Sequence, residues 1–174
     1  MRANPRYTHF VKILEKNSGR WMKPWEGDCW RFQAVDFPSA DEILSGEGAY
    51  RNGGRWNGIN SFRAFYGSTD DVTATRESAA LAKYYGFPCR EPRLLVCIHC
   101  KLTRLLDFTS GSIRRSLGIT LKEIEAEDWR KLQATGIEAL SQALGRAARE
   151  QGAEGLLTRS FANRGGVNIV VFPQ

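Results

Sequence analysis

The chain has 174 residues, 42% hydrophobic and 25% charged, with a formal net charge of +6. That length supports one domain with a real core, the composition is that of a folded globular protein, and no apolar run reaches the length of a membrane span. The basic excess is rich in arginine and mixed with acids along the chain, so it forms no dense nucleic-acid-binding tract; a phosphate-bearing small ligand or an acidic protein partner accounts for it as well as a duplex does.

Met1-Arg2-Ala3-Asn4-Pro5 is basic but lacks the apolar stretch of a signal peptide, so the expected location is the cytoplasm, with no membrane contact. In chain order, Phe10, Val11 and Leu14 predict a helix over about Tyr7–Lys16, closed by Asn17-Ser18-Gly19. Arg20–Asp28, with Trp21, Pro24 and Trp25, reads as an irregular wrap over a core edge. Cys29–Val35 alternates as a strand, Trp30, Phe32 and Ala34 facing opposite to Arg31 and Gln33. Arg31 is then either exposed or the wall of a cleft. Ser39 and Glu42 make a capping box for a short helix ending near Leu44.

Ser45–Asn60 carries five glycines in sixteen residues. Flexibility alone does not explain Arg51, Arg55 and Trp56 there, and long loops in compact domains are usually functional or disordered. Gly46-Glu47-Gly48 lacks the third glycine and the βα unit of a dinucleotide-fold fingerprint. Phe62–Ser68 reads as a short strand. Thr69-Asp70-Asp71 then caps a helix running to about Tyr85, stopped by Gly86 and Pro88.

Arg93–His99 and Leu102–Phe108 read as two strands, followed by short helical pieces near Ser112–Leu117 and Leu121–Glu125. A long amphipathic helix is expected from about Asp128 to Gln151, with Trp129, Leu132, Ile137, Leu140, Leu144 and Ala147 on one stripe. Gly155–Thr158 and Val167–Phe172 are strands joined by the loop Arg159–Gly166. The order of elements makes this an α+β protein without internal repeats.

The four cysteines, Cys29, Cys89, Cys97 and Cys100, have no disulfide-framework spacing. Within a strand Cys97 and His99 share one face while Cys100 points away, so no metal is expected. Glu77 stands out. Thr73, Ala74, Ala80, Leu81 and Tyr84 share its helix face, which places the carboxylate on the packing side, where it needs a partner. A structural ion pair with an arginine and a cleft carboxylate that stabilises positive charge fit this pattern equally.

Arg55 and Trp56 sit on the glycine-lined turn Gly53-Gly54-Arg55-Trp56-Asn57, where backbone can approach a ligand and the guanidinium can fork onto phosphate oxygens. Tyr66 is core, or a ring against a ligand. With only His9 and His99, no Walker lysine and no nucleophile elbow, hydrolase triads fit poorly.

These residues resemble those of the RES-domain toxins, named for arginine, glutamate and serine positions. The resemblance runs from about Cys29 to Phe172. It rests on Arg31 in Trp30-Arg31-Phe32, Ser45-Gly46-Glu47-Gly48-Ala49, Gly53-Gly54-Arg55-Trp56-Asn57, Tyr66, Glu77, Gly155-Leu156-Leu157-Thr158-Arg159-Ser160 and Asn168. The stretch between Asn57 and Tyr66 is one residue longer than the family pattern, which makes Phe65 a competitor for the tyrosine position.

The resemblance implies one domain over 1–174, with 1–28 as an N-terminal helical extension. Its core would be ADP-ribosyltransferase-like, of small crossed β-sheets around an NAD cleft. It implies a toxin that consumes NAD+ by hydrolysis, phosphorolysis or transfer of ADP-ribose to a protein. Its partner would be a helix-turn-helix antitoxin covering the active site, with no direct nucleic-acid binding. Arg31 and Arg55 would hold the pyrophosphate, with Trp56 and Asn57 on the same turn. Tyr66 would flank the nicotinamide ribose, Glu77 would stabilise the cation formed at it, and Ser160 would position the ribose or the nicotinamide amide. Two rivals predict different behaviour: a metal-independent RNase would cleave RNA without NAD+, and a non-catalytic binding module would tolerate Glu77→Gln in all but partner binding.

Overall fold

The computed structural model describes residues 1–36, 39–86 and 92–173; Pro88 and Cys89 fall outside them. Helix α1 (Tyr7–Trp21) leads into strand β1 (Met22–Ala34). Helices α2 (Ala40–Leu44) and α3 (Glu47–Asn52) precede β2 (Phe65–Ser68) and α4 (Asp71–Tyr84). After β3 (Arg93–Asp107) come α5 (Gly111–Leu117), α6 (Leu121–Ala126), α7 (Trp129–Ala134) and α8 (Leu140–Glu150), then β4 (Gly155–Arg159) and β5 (Val167–Val171).

The five strands form one closed sheet in the order β1-β2-β5-β4-β3, with β3 returning to β1. Only β3 and β4 run parallel. This is a mixed α/β architecture in which closure rests on short ladders, Trp30 with Ser68 between β1 and β2 and Leu105–Asp107 with Gly155–Leu157 between β3 and β4. Among the described residues no helix is long and apolar enough to cross a membrane.

Local chemistry explains most elements. Ser39 and Glu42 form the expected reciprocal cap on α2, and Asp70 accepts from the Thr73 amide to start α4. The glycine-rich stretch is ordered. It contains α3, and Gly53 leaves that helix at φ 73°, a left-handed value that favours glycine.

Four expectations are corrected. Helix α1 runs five residues past Lys16, through Gly19, because that extension delivers Trp21 to the core. The supposed wrap before Cys29 is strand from Met22 onward, and Pro24, which has no N–H to give, sits at its register shift. Segment 1–28 therefore ends as strand, not helix. The two strands expected over 93–108 are one, because Cys100 and Lys101 continue the ladder opposite Gly27 and Glu26. The long helix over 128–151 is broken in two. Gly136 turns at φ 73°, and the chain there pairs with Arg2, whose amide donates to Gly136 O at 2.7 Å.

The larger core cluster joins α1, α5, α6 and α8 to one face of the sheet through Phe10, Leu14, Leu106, Leu117, Ile124, Leu144 and Leu156. A second gathers Cys29, Ile43, Phe65, Leu105 and Ile169. Glu138, buried near the helix break, is held by two bonds from Arg146 at 2.7 and 2.9 Å and by the Asn4 amide at 2.9 Å.

Candidate functional site

Strand pairing lays down the floor of a cleft. Trp30 pairs with Ser68, Ser68 with Asn168, and Asn168 with Thr158, so one row of side chains crosses β1, β2, β5 and β4. Paired residues of neighbouring strands share a face, and all four line a single cavity of about 630 Å³. Helix α4 forms one wall, the turn at Gly53–Trp56 another, and Trp129 and Arg130 of α7 a third.

Glu77 enters this cavity from α4. Its Oε1 accepts from Ser160 Oγ at 2.6 Å and from Asn168 Nδ2 at 2.6 Å. The amides of Ala162 and Asn163 donate to Ser160 Oγ at 3.2 and 2.9 Å, which aims its own hydrogen at Glu77. Asn168 Oδ1 accepts from Ser68 Oγ at 2.8 Å, which fixes the amide with its NH2 toward the carboxylate. Among the described residues both bonds to Glu77 fall on Oε1, and Oε2 accepts none.

No arginine pairs with Glu77 among the described residues. The packing face expected of α4 is also only half right. Thr73 and Ala74 are buried, but Leu81 and Tyr84 are 39% and 54% exposed, because from Glu77 onward this face borders the cavity.

The loop 160–166 is pinned to α4. Asn163 Nδ2 donates to Thr73 Oγ1 at 2.8 Å, and Asn163 Oδ1 accepts from Arg76 Nη1 at 2.6 Å. These bonds bring Ser160 to a helix 83 residues earlier in the chain.

Tyr66 lines the cavity with its ring, while its hydroxyl points into the glycine turn. It accepts from the Trp56 amide at 2.9 Å and donates to Asn57 Oδ1 at 2.7 Å. Gly54 packs so tightly here that a Cβ would fall 2.4 Å from the Tyr66 hydroxyl. Burial pushes the phenol well above its usual range, so Tyr66 stays neutral. Its neighbour Phe65 turns into the second core cluster, which makes Tyr66 the residue of this pair at the cavity.

The remaining candidates divide. Arg55 lines the cavity, donates Nη1 to Ile124 O at 2.6 Å and lies 5.1 Å over the Phe161 ring. Arg31 borders it too, donating to Gln33 Oε1 at 3.1 Å and to Tyr66 O at 3.4 Å. Burial lowers the pKa of both guanidiniums. Trp56 touches the cavity but is 3% exposed and stacks on Phe108 at 5.6 Å. Asn57 is wholly buried; its NH2 donates to Ala49 O and Phe62 O, so its side chain holds the turn.

Sequence reasoning missed Ser68, although it lies two residues past Tyr66 on the same strand face. It also missed Arg130, hidden inside a helix drawn too long. The Cys97–Cys100 segment lies on β3, where His99 Nδ1 and Nε2 meet Asp28 Oδ1 at 3.0 Å and Glu26 Oε1 at 3.2 Å.

Five arginines (Arg31, Arg55, Arg93, Arg130 and Arg159) and a single carboxylate, Glu77, line the cavity among the described residues. Such a cleft concentrates anions and holds one carboxylate, Glu77, that can oppose positive charge there. The RES domain family model matches residues 28–174. The NAD(+) phosphorylase MbcT of Mycobacterium tuberculosis strain H37Rv is 29% identical over 129 residues, covering 71% of this chain and 67% of that protein; the protein of the same name from Mycobacterium bovis aligns equally. The crystal structure of the M. tuberculosis MbcT–MbcA toxin–antitoxin complex superposes with a TM-score of 0.72 at 26% identity, over 97% of this chain and 82% of that one.

Proposed function

The chain belongs to the RES domain family, and from that premise we propose that it is a toxin that cleaves the nicotinamide–ribose bond of NAD+ and passes the ADP-ribosyl group to inorganic phosphate. The observation that carries this is Glu77: among the described residues, one oxygen is anchored by two neutral donors, the other accepts no hydrogen bond, and five arginines line the cavity beside it. Breaking the glycosidic bond leaves nicotinamide with the bonding electron pair and the ribose with oxocarbenium character. A preorganised carboxylate beside that carbon lowers the barrier electrostatically. A phosphate oxygen then bonds to the anomeric carbon, giving nicotinamide and ADP-ribose phosphorylated at that position. The acceptor follows the name of the mycobacterial relatives.

In this reading Arg31 and Arg55 hold the pyrophosphate and the Tyr66 ring flanks the nicotinamide ribose. Ser160 acts through Glu77, Asn57 acts through the Tyr66 hydroxyl, and Trp56 forms the buried wall behind them. The closed sheet serves as an ADP-ribosyltransferase-like core. The likeness to a toxin–antitoxin complex supports an antitoxin partner that covers this cleft; we assign it the helix-turn-helix type and place both proteins in the cytoplasm.

The test uses NAD+ labelled in its adenylate half, incubated with purified protein with and without phosphate, and with a bacterial lysate. Phosphate-dependent conversion to phosphorylated ADP-ribose, lost in Glu77→Gln, is expected. Label on a lysate protein would make the acceptor a protein side chain, and a folded wild type that leaves NAD+ intact would sink the reading.

A further inference from the structure

Arg130 is held in an aromatic cage. Its guanidinium carbon lies 4.3 Å from the ring centroid of Trp129 and 4.4 Å from that of Tyr84, with Tyr85 at 5.8 Å. Rings at this range offer the cation their faces. A guanidinium donates only in its own plane, so what it can bind is set by what meets its edge.

That edge is poorly used. Nε is cut off from solvent and has no hydrogen-bond partner among the described residues. Arg130 also forms no ion pair among them. With Nε closed off, the edge that a ligand in the cavity can meet is that of Nη1 and Nη2, which form no hydrogen bond among the described residues. Arg130 lines the same cavity as Arg55 and Glu77. Burial lowers the Arg55 pKa first of all, and the like charge of Arg130 works in the same direction. Two guanidiniums that repel one another across one cavity are stabilised together by an anion between them.

We propose that Arg130 is a phosphate-recognition residue of the cleft, its planar fork presented by the Trp129 and Tyr84 rings to a phosphoryl group that Arg55 also faces. A cavity of about 630 Å³ suits a nucleotide or a small ion, and forked donors match phosphate oxygens in pairs. Two sources share that chemistry: free inorganic phosphate, the acceptor in the reaction proposed above, and the pyrophosphate of the dinucleotide. The second source rests on the NAD+ reading; binding of free phosphate does not, while its part as acceptor does.

Titration calorimetry with inorganic phosphate and, separately, with ADP-ribose on wild type, Arg130→Gln and Arg130→Lys tests this. Steady-state rates with NAD+ and phosphate varied independently accompany it. The expected result is a loss of phosphate affinity of roughly ten- to hundredfold in Arg130→Gln, a matching rise in KM for phosphate, and only partial recovery in Arg130→Lys, which keeps the charge without the fork. If ADP-ribose affinity and KM for NAD+ move instead, the phosphoryl group Arg130 reads is that of the dinucleotide. Unchanged affinity for both ligands in variants that melt like the wild type overturns the proposal. Phosphate binding needs no turnover, so a protein that binds phosphate through Arg130 yet leaves NAD+ intact would refute the functional reading alone.

Discussion

The Ser160 hydroxyl donates to Oε1 of Glu77 at 2.6 Å, from a loop end that is itself held by the Ala162 and Asn163 amides. Asn168 adds a second neutral donor to the same oxygen. Neither donor cancels the charge, so the carboxylate is oriented at full strength. Removing one donor costs orientation while leaving the charge in place.

Ser160→Ala is therefore expected to lower kcat by roughly ten- to hundredfold, the worth of one hydrogen bond to a charged group, with little change in KM for NAD+. Initial-rate kinetics decide it. A large rise in KM with kcat intact would mean that Ser160 grips the substrate directly.

Tyr66→Phe tests whether the hydroxyl serves the turn. The variant strands the Trp56 amide and Asn57 Oδ1, both in the protein interior. A loss of about 2–4 kcal/mol in unfolding free energy is expected, measured by urea denaturation. Unaltered stability with lost turnover would instead place the hydroxyl on the substrate.

Leu14→Ala addresses the N-terminal helix. Leu14 and Phe10 are both fully buried in the cluster shared with α8. Truncating Leu14 should cost about 2–5 kcal/mol. A detachable extension would show no such loss in denaturant midpoint.

His99 carries a pH dependence. Its hydrogen bonds to Asp28 and then to Glu26 raise its pKa above the ordinary histidine value of about 6.5. A raised folded-state pKa means the stabilisation is complete below the unfolded value and fades as pH rises through the folded one. His99→Ala should thus narrow the gap to wild type as pH climbs above about 6.5, the imidazole being exposed and the effect small. NMR titration of the His99 ring checks the cause directly, since Asp28→Asn should lower its midpoint.

Much of the chain was legible because its signals are local. Ser39 with Glu42 and Asp70 with Thr73 cap their helices as short-range chemistry requires. The strand alternation around Trp30 and Tyr66 and the glycine turn at Gly53–Asn57 are readable within a few residues. Glu77 declared itself as a carboxylate on a face with apolar neighbours.

Partnership was not legible. A helical stripe over 128–151 looks continuous until Arg2 arrives to pair beside Gly136. The same is true of β3, whose two apparent halves are joined by the ladder to β1.

The sequence by itself determined which segments curl, which extend, and which residues carry charge into a glycine-lined turn, because those depend on spacing and side-chain type within one or two turns of chain. Only the tertiary structure decided that Glu77 meets Ser160 and Asn168, that the Tyr66 hydroxyl faces inward, and that Arg130 is caged against the cavity. Those outcomes depend on strand register and helix docking across scores of residues, where the free energy of the closed sheet, not any local preference, selects the neighbour.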